Sequence, residues 1–208
     1  MEGLRGHPIR VLGICGSVRA GSYNRGLLAA AQELAPRGME IRIHDLGALP
    51  FFHPDGHPGG IPRPVAEFVG AVAAADALLV ATPEYNYGVP AVLTNALDWA
   101  SQPPGASALR GKPAAIVGAS TGRGGTVRAQ TQLRQAFVYT EVHALLQPEL
   151  HVGAAHEKFG ADGRLHDPCT RERLARVLEG LASWTLLLRG ASPVPAFTGR
   201  TMILAPPD

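Results

Sequence analysis

Three short segments of this 208-residue chain gather glycine together with hydroxyl, amide, aromatic and arginine side chains. The first is Gly16-Ser-Val-Arg-Ala-Gly-Ser-Tyr-Asn24, between a short apolar run and a helix expected to begin near Arg25. Glycines let a backbone approach a ligand closely, and the free N–H groups of a helix start attract anions. Ser17, Ser22 and Asn24 add neutral hydrogen-bonding groups, and Arg19 adds a fixed guanidinium fork suited to phosphate. A plain turn capped by Ser22 or Asn24 would require fewer polar groups than these nine residues hold. The segment is neither of the common nucleotide loops, because no lysine precedes Lys112 and the GxGxxG spacing is absent.

The second segment, Pro83-Glu-Tyr-Asn-Tyr-Gly-Val-Pro90, sets two tyrosines, an asparagine and a glycine between prolines. A stiff loop with exposed amides suits a planar heteroaromatic ligand bearing carbonyls and ring nitrogens, and such loops commonly carry function. The third, Gly118-Ala-Ser-Thr-Gly-Arg-Gly-Gly-Thr126, has four glycines before its final threonine. By itself it fits either a phosphate cradle or a flexible connector. One phosphate loop, one aromatic-amide loop and one glycine-rich loop along a single sheet edge describe a pocket for flavin mononucleotide.

The elements that must position these loops are legible in the hydrophobic pattern. Apolar runs at Ile9 to Cys15, Ala77 to Thr82 and Pro113 to Gly118 read as buried strands, and Met39 to Asp45 alternates as a half-protected one. Helices are expected over Arg25 to Leu34, Pro64 to Ala75, Pro90 to Ser101 and Gly125 to about Tyr139, with a last strand over roughly Val142 to Val152. Leu174, Val177, Leu178, Leu181, Thr185 and Leu188 recur at helical spacing and define a closing amphipathic helix. Continuous apolar strands alternating with helices predict an α/β fold, a doubly wound three-layer sandwich around a five-stranded parallel sheet. Ligands in such sheets sit at the carboxyl ends of the strands, where all three loops fall. The expected organisation is a single domain over residues 1–190, followed by a Pro-rich tail over 191–208.

Composition narrows the function classes. With 19 basic and 17 acidic residues the formal charge is +2, which argues against nucleic acid as a partner. No apolar run reaches spanning length, since Asp76 and Pro83 interrupt the best candidate, and the N-terminus lacks a signal-peptide core. A cytoplasmic protein off the membrane is expected. Two cysteines, Cys15 and Cys169, form neither a zinc pattern nor a disulfide framework. Cys15 reads as a small buried residue, and the His53-Pro-Asp-Gly-His57 stretch as exposed loop histidines, so no metal site is expected. His44 and Asp45 adjoin at a strand end on opposite faces and make no catalytic pair. The segment Pro90 to Ser101 is apolar around most of its circumference, which predicts burial against a second subunit as well as the sheet, hence a homodimer; cover by the flanking loops is the alternative.

The loops also resemble a known family. Gly16 to Asn24 is similar to the GSxRxxSxN phosphate loop of the NADPH-dependent FMN reductases, flavodoxin-like quinone, chromate and azo-dye reductases. Pro83-Glu-Tyr-Asn-Tyr-Gly-Val-Pro-Ala-Val-Leu-Thr-Asn-Ala-Leu-Asp-Trp99 resembles their PEYN…P…KNALDW stretch, and Gly118-Ala-Ser their third loop. The likeness runs from about Arg10 to Leu187. Cys15 stands where a serine or another small residue is usual, and Thr94 replaces a lysine. The resemblance implies Ser17, Arg19, Ser22, Tyr23 and Asn24 around the FMN phosphate. It implies Pro83, Glu84, Tyr85 and Asn86 along the isoalloxazine edge, with Ser120, Gly122 and Arg123 on the other side. It further implies a ping-pong cycle: NADPH or NADH gives hydride to flavin N5, and two electrons then pass to a small-molecule acceptor, quinone-like, azo or chromate. The cofactor carries that chemistry, so no catalytic acid or base is named. Backbone amides of the second and third loops would stabilise charge near N1 and O2 of the reduced ring. The resemblance also implies assembly as a homodimer or homotetramer. The competing function on the same fold is a flavodoxin-type electron carrier without its own NAD(P)H oxidation, which a +2 chain suits poorly because such carriers dock through acidic surfaces.

Overall fold

Ile9–Cys15 forms β1, and every residue of it except Arg10 is buried. The computed structural model describes residues 7–53, 55, 60–103 and 106–190. Along the chain follow α1 (Tyr23–Leu34), β2 (Met39–His44), α2 (Arg63–Ala74), β3 (Ala77–Ala81), α3 (Ala91–Ala100) and β4 (Pro113–Ala119). They are succeeded by α4 (Val127–Tyr139), β5 (His143–Ala144), β6 (Leu150–Val152), a 3-10 turn at Ala155–Glu157, and α5 (Pro168–Gly190). The Pro-rich tail and His57 lie outside the described residues.

The sheet order is β2-β1-β3-β4-β5, with β6 also on β4, and all pairings are parallel. This is the doubly wound arrangement that alternating strands and helices predict. Strand residues send alternate side chains to two cores. Val11, Leu79, Ala81 and Val117 pack with α1 and α5, whereas Leu12, Leu78, Val80 and Ile116 pack with α2, α3 and α4. β3 and β4 are buried throughout, as strands covered on both faces must be.

One expectation is corrected and a second acquires local detail. The last strand is not continuous: it divides into β5, beside the first residues of β4, and β6, beside the last ones. Pro148 sits between them and has no N–H to donate to a ladder. The second concerns α3. Leu93, Ala96, Leu97, Trp99 and Ala100 are buried within the chain itself. Part of the cover comes from residues 50–52. The Trp99 indole and the Asn95 amide both donate to the Pro50 carbonyl, at 2.8 and 2.9 Å. Phe52 meets Trp99 edge to face. Local cover therefore accounts for the burial of these five side chains, while Val92 is half-buried and Ala91, Thr94 and Asp98 are exposed.

Candidate flavin site

The first loop reaches α1 through Ser22, whose hydroxyl accepts from Asn24 N and Arg25 N at 3.2 and 3.4 Å. Ser22 is thus the N-cap, the plainer of the two roles its sequence allows. Capping leaves much of the loop unsatisfied. The N–H groups of Val18, Ala20, Gly21 and Tyr23 take no partner among the described residues, while Arg19 N reaches Ser17 Oγ at 3.4 Å. A run of unpaired N–H groups at a helix start is an anion-binding nest. Arg19 stands beside it, with one guanidinium nitrogen donating to the Gly21 carbonyl.

Asn24 has a different task. Its side-chain nitrogen donates to the Ala119 carbonyl at 3.0 Å, and its oxygen accepts Ala119 N at 2.9 Å. The amide thereby ties the head of α1 to the end of β4, and so the first loop to the third. Ser17 joins the first loop to the second, its hydroxyl 3.3 Å from the Tyr85 hydroxyl.

The second loop is a tight hairpin. Tyr85 and Gly88 exchange backbone hydrogen bonds at 3.1 and 2.9 Å, with Asn86 and Tyr87 between them at φ of 50° and 62°. Two successive non-glycine residues in the left-handed region store strain, which persists only where surroundings impose it. Here α4 supplies the restraint, since Gln132 accepts Val89 N and donates to the Tyr87 carbonyl. Glu84 turns its carboxylate to the start of α4, where it accepts Arg128 N and Ala129 N. Its role is that of a cap and ion-pair partner for α4, so only its backbone remains for a ring edge.

The third loop is fastened beneath by β6 and the 3-10 turn, through Ser120 N to Val152 O and Ala155 N to Ser120 O. Gly118 is required by packing, because a Cβ there would lie 1.9 Å from Thr126 Oγ1 and 2.4 Å from Thr82 O. The N–H groups of Thr121, Arg123 and Gly124 have no partner among the described residues.

Between the loops lie two lobes. One, of about 400 Å³, is lined by Ser17, Arg19, Ser22, Tyr23, Asn24 and Pro83, with Tyr85 and Ser120 at its edge. The other, of about 380 Å³, is lined by Asn86, Gly122 and Arg123 together with Tyr87 and Arg128. Glu84 and Ser120 border both lobes. All the residues expected from sequence thus line these two adjoining lobes, the first beside the anion nest and the second beside amide-rich loops. That donor set matches FMN, a phosphate dianion joined through a ribityl chain to a ring with carbonyls and ring nitrogens.

Tyr87, Arg128 and Thr121 also belong to the cleft and are missing from the sequence expectation. Arg128 could have been found, because an arginine in the first turn of a helix opposes the helix dipole and needs a local reason. Cys15, beneath the first loop, is buried, and burial pushes its thiol above the ordinary range, so it stays neutral. His53 is exposed, and its imidazole lies 3.7 Å from the Asp55 carboxylate. No three metal-ligating side chains converge among the described residues. No helix among them is long and apolar enough to cross a membrane.

Comparison with known proteins agrees with this geometry. Residues 9–157 match the profile of the NADPH-dependent FMN reductases. An NAD(P)H-dependent FMN reductase of Pseudomonas aeruginosa is 49% identical over 182 residues, covering 88% of this chain and 98% of the relative. An NAD(P)H:quinone oxidoreductase of Solanum tuberosum is 45% identical, over 88% of this chain and 95% of the relative. Among solved structures, the flavoenzyme NAD(P)H:(acceptor) oxidoreductase FerB of Paracoccus denitrificans superposes with a TM-score of 0.78 at 31% identity. That match covers 86% of this chain and 97% of FerB. On sequence, sheet order and loop architecture together, the chain belongs to the NADPH-dependent FMN reductase family.

Proposed function

We infer that this chain is an FMN-dependent NAD(P)H oxidoreductase that delivers two electrons to quinone-like acceptors. The observation that carries the reading is the set of unpartnered N–H groups in the first loop, beside Arg19 and Tyr23, which line the lobe between that loop and the other two. The net reaction is NAD(P)H + H⁺ + quinone → NAD(P)⁺ + hydroquinone. FMN, when bound, supplies the chemistry of accepting a hydride and passing on its electron pair.

The protein's part is positioning. The nest, Ser17 and Arg19 would hold the phosphate, and Asn24 would fix the distance between the first and third loops. The backbone at Pro83 to Asn86 and at Ser120 to Arg123 would border the ring and offer N–H groups to its carbonyls. Donor and acceptor would use the same open face in turn, the basis of a ping-pong cycle. Azo compounds and chromate are further acceptors of this class of chemistry. Residues up to Gly190 would form the FMN-binding unit, and two free cysteines suit residence in a reducing cytoplasm. Assembly into a homodimer or homotetramer would draw on exposed apolar side chains, among them Val138, Tyr139 and Leu146.

Initial rates measured at several fixed quinone concentrations test the cycle. Parallel double-reciprocal lines are expected. Converging lines would show that both substrates bind together and would overturn it.

A further inference from the structure

The second lobe has a charge pattern that the binding of FMN leaves unused. Arg128 donates to Glu84 Oε1 at 3.0 Å, and its guanidinium carbon stands 4.0 Å from the centre of the Tyr87 ring. Glu84 is nearly buried beneath it, at 9% side-chain exposure, whereas the Arg128 side chain is 55% exposed. The Glu84 charge is answered twice, by Arg128 and by the N–H groups at the head of α4. The lobe therefore presents positive charge to solvent. Arg123, exposed on the opposite wall, adds a second guanidinium whose side chain has no partner among the described residues. Tyr87 is 68% exposed, with the Arg128 guanidinium over one face of its ring.

We propose that Tyr87, Arg123 and Arg128 form an acceptor subsite selecting planar rings that carry an anionic substituent: a sulfonate, a carboxylate or the oxyanion of a hydroxyquinone. A ring seated over the cleft would lie beside Tyr87 while its anion meets a guanidinium fork. The redox balance is unchanged, since the acceptor takes two electrons and two protons whatever its substituent. This assignment rests on the proposed reductase reading and goes beyond it by naming the acceptor's charge.

The test uses the FMN-loaded protein and begins with equilibrium binding, which needs no turnover. Naphthalene-2-sulfonate and 2-naphthylmethanol are titrated by calorimetry into the wild type and into Arg123→Gln, Arg128→Gln and Arg128→Lys. The sulfonate is expected to bind about tenfold more tightly at low salt. That advantage should shrink toward unity in 0.5 M salt and in the Arg123→Gln/Arg128→Gln pair, and Arg128→Lys should retain most of it. Equal affinity for the two probes in the wild type overturns the proposal. So does an Arg128→Lys variant as impaired as Arg128→Gln, since packing rather than charge would then be at work.

In turnover, the readout is the ratio of kcat/KM for 1,4-naphthoquinone-2-sulfonate to that for 1,4-naphthoquinone, which cancels any change in flavin reduction. The double variant should lower this ratio about tenfold. An unchanged ratio accompanied by a changed NADPH-to-NADH preference would assign the arginines to the donor's 2′-phosphate and overturn the acceptor subsite. Selective sulfonate binding without reduction of either quinone would uphold the anionic-ring site and refute the reductase reading.

Discussion

Asn24 and Ala119 are joined by a reciprocal pair of hydrogen bonds, side-chain nitrogen to carbonyl at 3.0 Å and backbone N–H to side-chain oxygen at 2.9 Å. Both residues are buried. One asparagine therefore sets the spacing between an anion nest and a glycine-rich loop 95 residues further along the chain.

That pair predicts a coupled defect. Asn24→Ala leaves a buried N–H and a buried carbonyl without partners and should cost about 3 kcal/mol. Urea unfolding of the FMN-free protein would read this loss, and the variant's FMN affinity should fall with it.

Glu84→Gln retains a side chain of similar size but removes the charge that answers both Arg128 and the start of α4. Charge-assisted bonds of this kind support a loss of about 1–2 kcal/mol. The hairpin strain at Asn86 and Tyr87 is restrained through α4, so amide exchange at Tyr85 and Gly88 should accelerate. Unchanged protection there would separate the hairpin from the Glu84 clamp.

Gly118→Ala places a methyl group against Thr126 Oγ1 and Thr82 O at distances no rotamer can relieve. The expected cost is about 3 kcal/mol through overpacking. Gly124→Ala, whose added Cβ meets no atom within 4 Å, is the control and should remain folded.

Asp76, at the opposite end of the sheet, gives a pH signature. Burial raises its carboxyl, but hydrogen bonds from the Arg10 side chain and backbone and from Arg189 prevail and hold it at about 2, below the ordinary 3.8. A carboxyl depressed in the folded state stabilises above its unfolded pKa and loses that contribution as pH falls through the folded value. Stability should therefore drop by about 2 kcal/mol between roughly pH 4 and pH 2 on this group's account. Asp76→Asn should be less stable than the wild type at pH 7 and nearly equal to it at pH 2.

The hydrophobic pattern made the strands and helices legible because each core strand is a run of apolar residues and each helix an amphipathic stripe. Loop composition located the cleft for a similar reason, since glycine, serine and arginine between buried elements need a ligand-related cause. What could not be read was direction. Glu84 stands in the right loop, yet its carboxylate serves α4, and Asn24 serves Ala119; only coordinates distinguish a side chain facing the ligand from one bracing the wall. Tyr87 and Arg128 escaped because their contact joins a hairpin to a helix start about 40 residues away, a pairing periodicity does not encode. Which residues cover α3 within the chain was not legible, because Pro50 and Phe52 lie far from it in sequence.

The visible absorbance spectrum of the purified protein, before and after NADPH is added without oxygen, tests the central claim most directly. The account predicts a yellow protein with bound FMN that bleaches promptly on NADPH and recovers its colour when a quinone is supplied. A colourless protein that also fails to take up added FMN would contradict it.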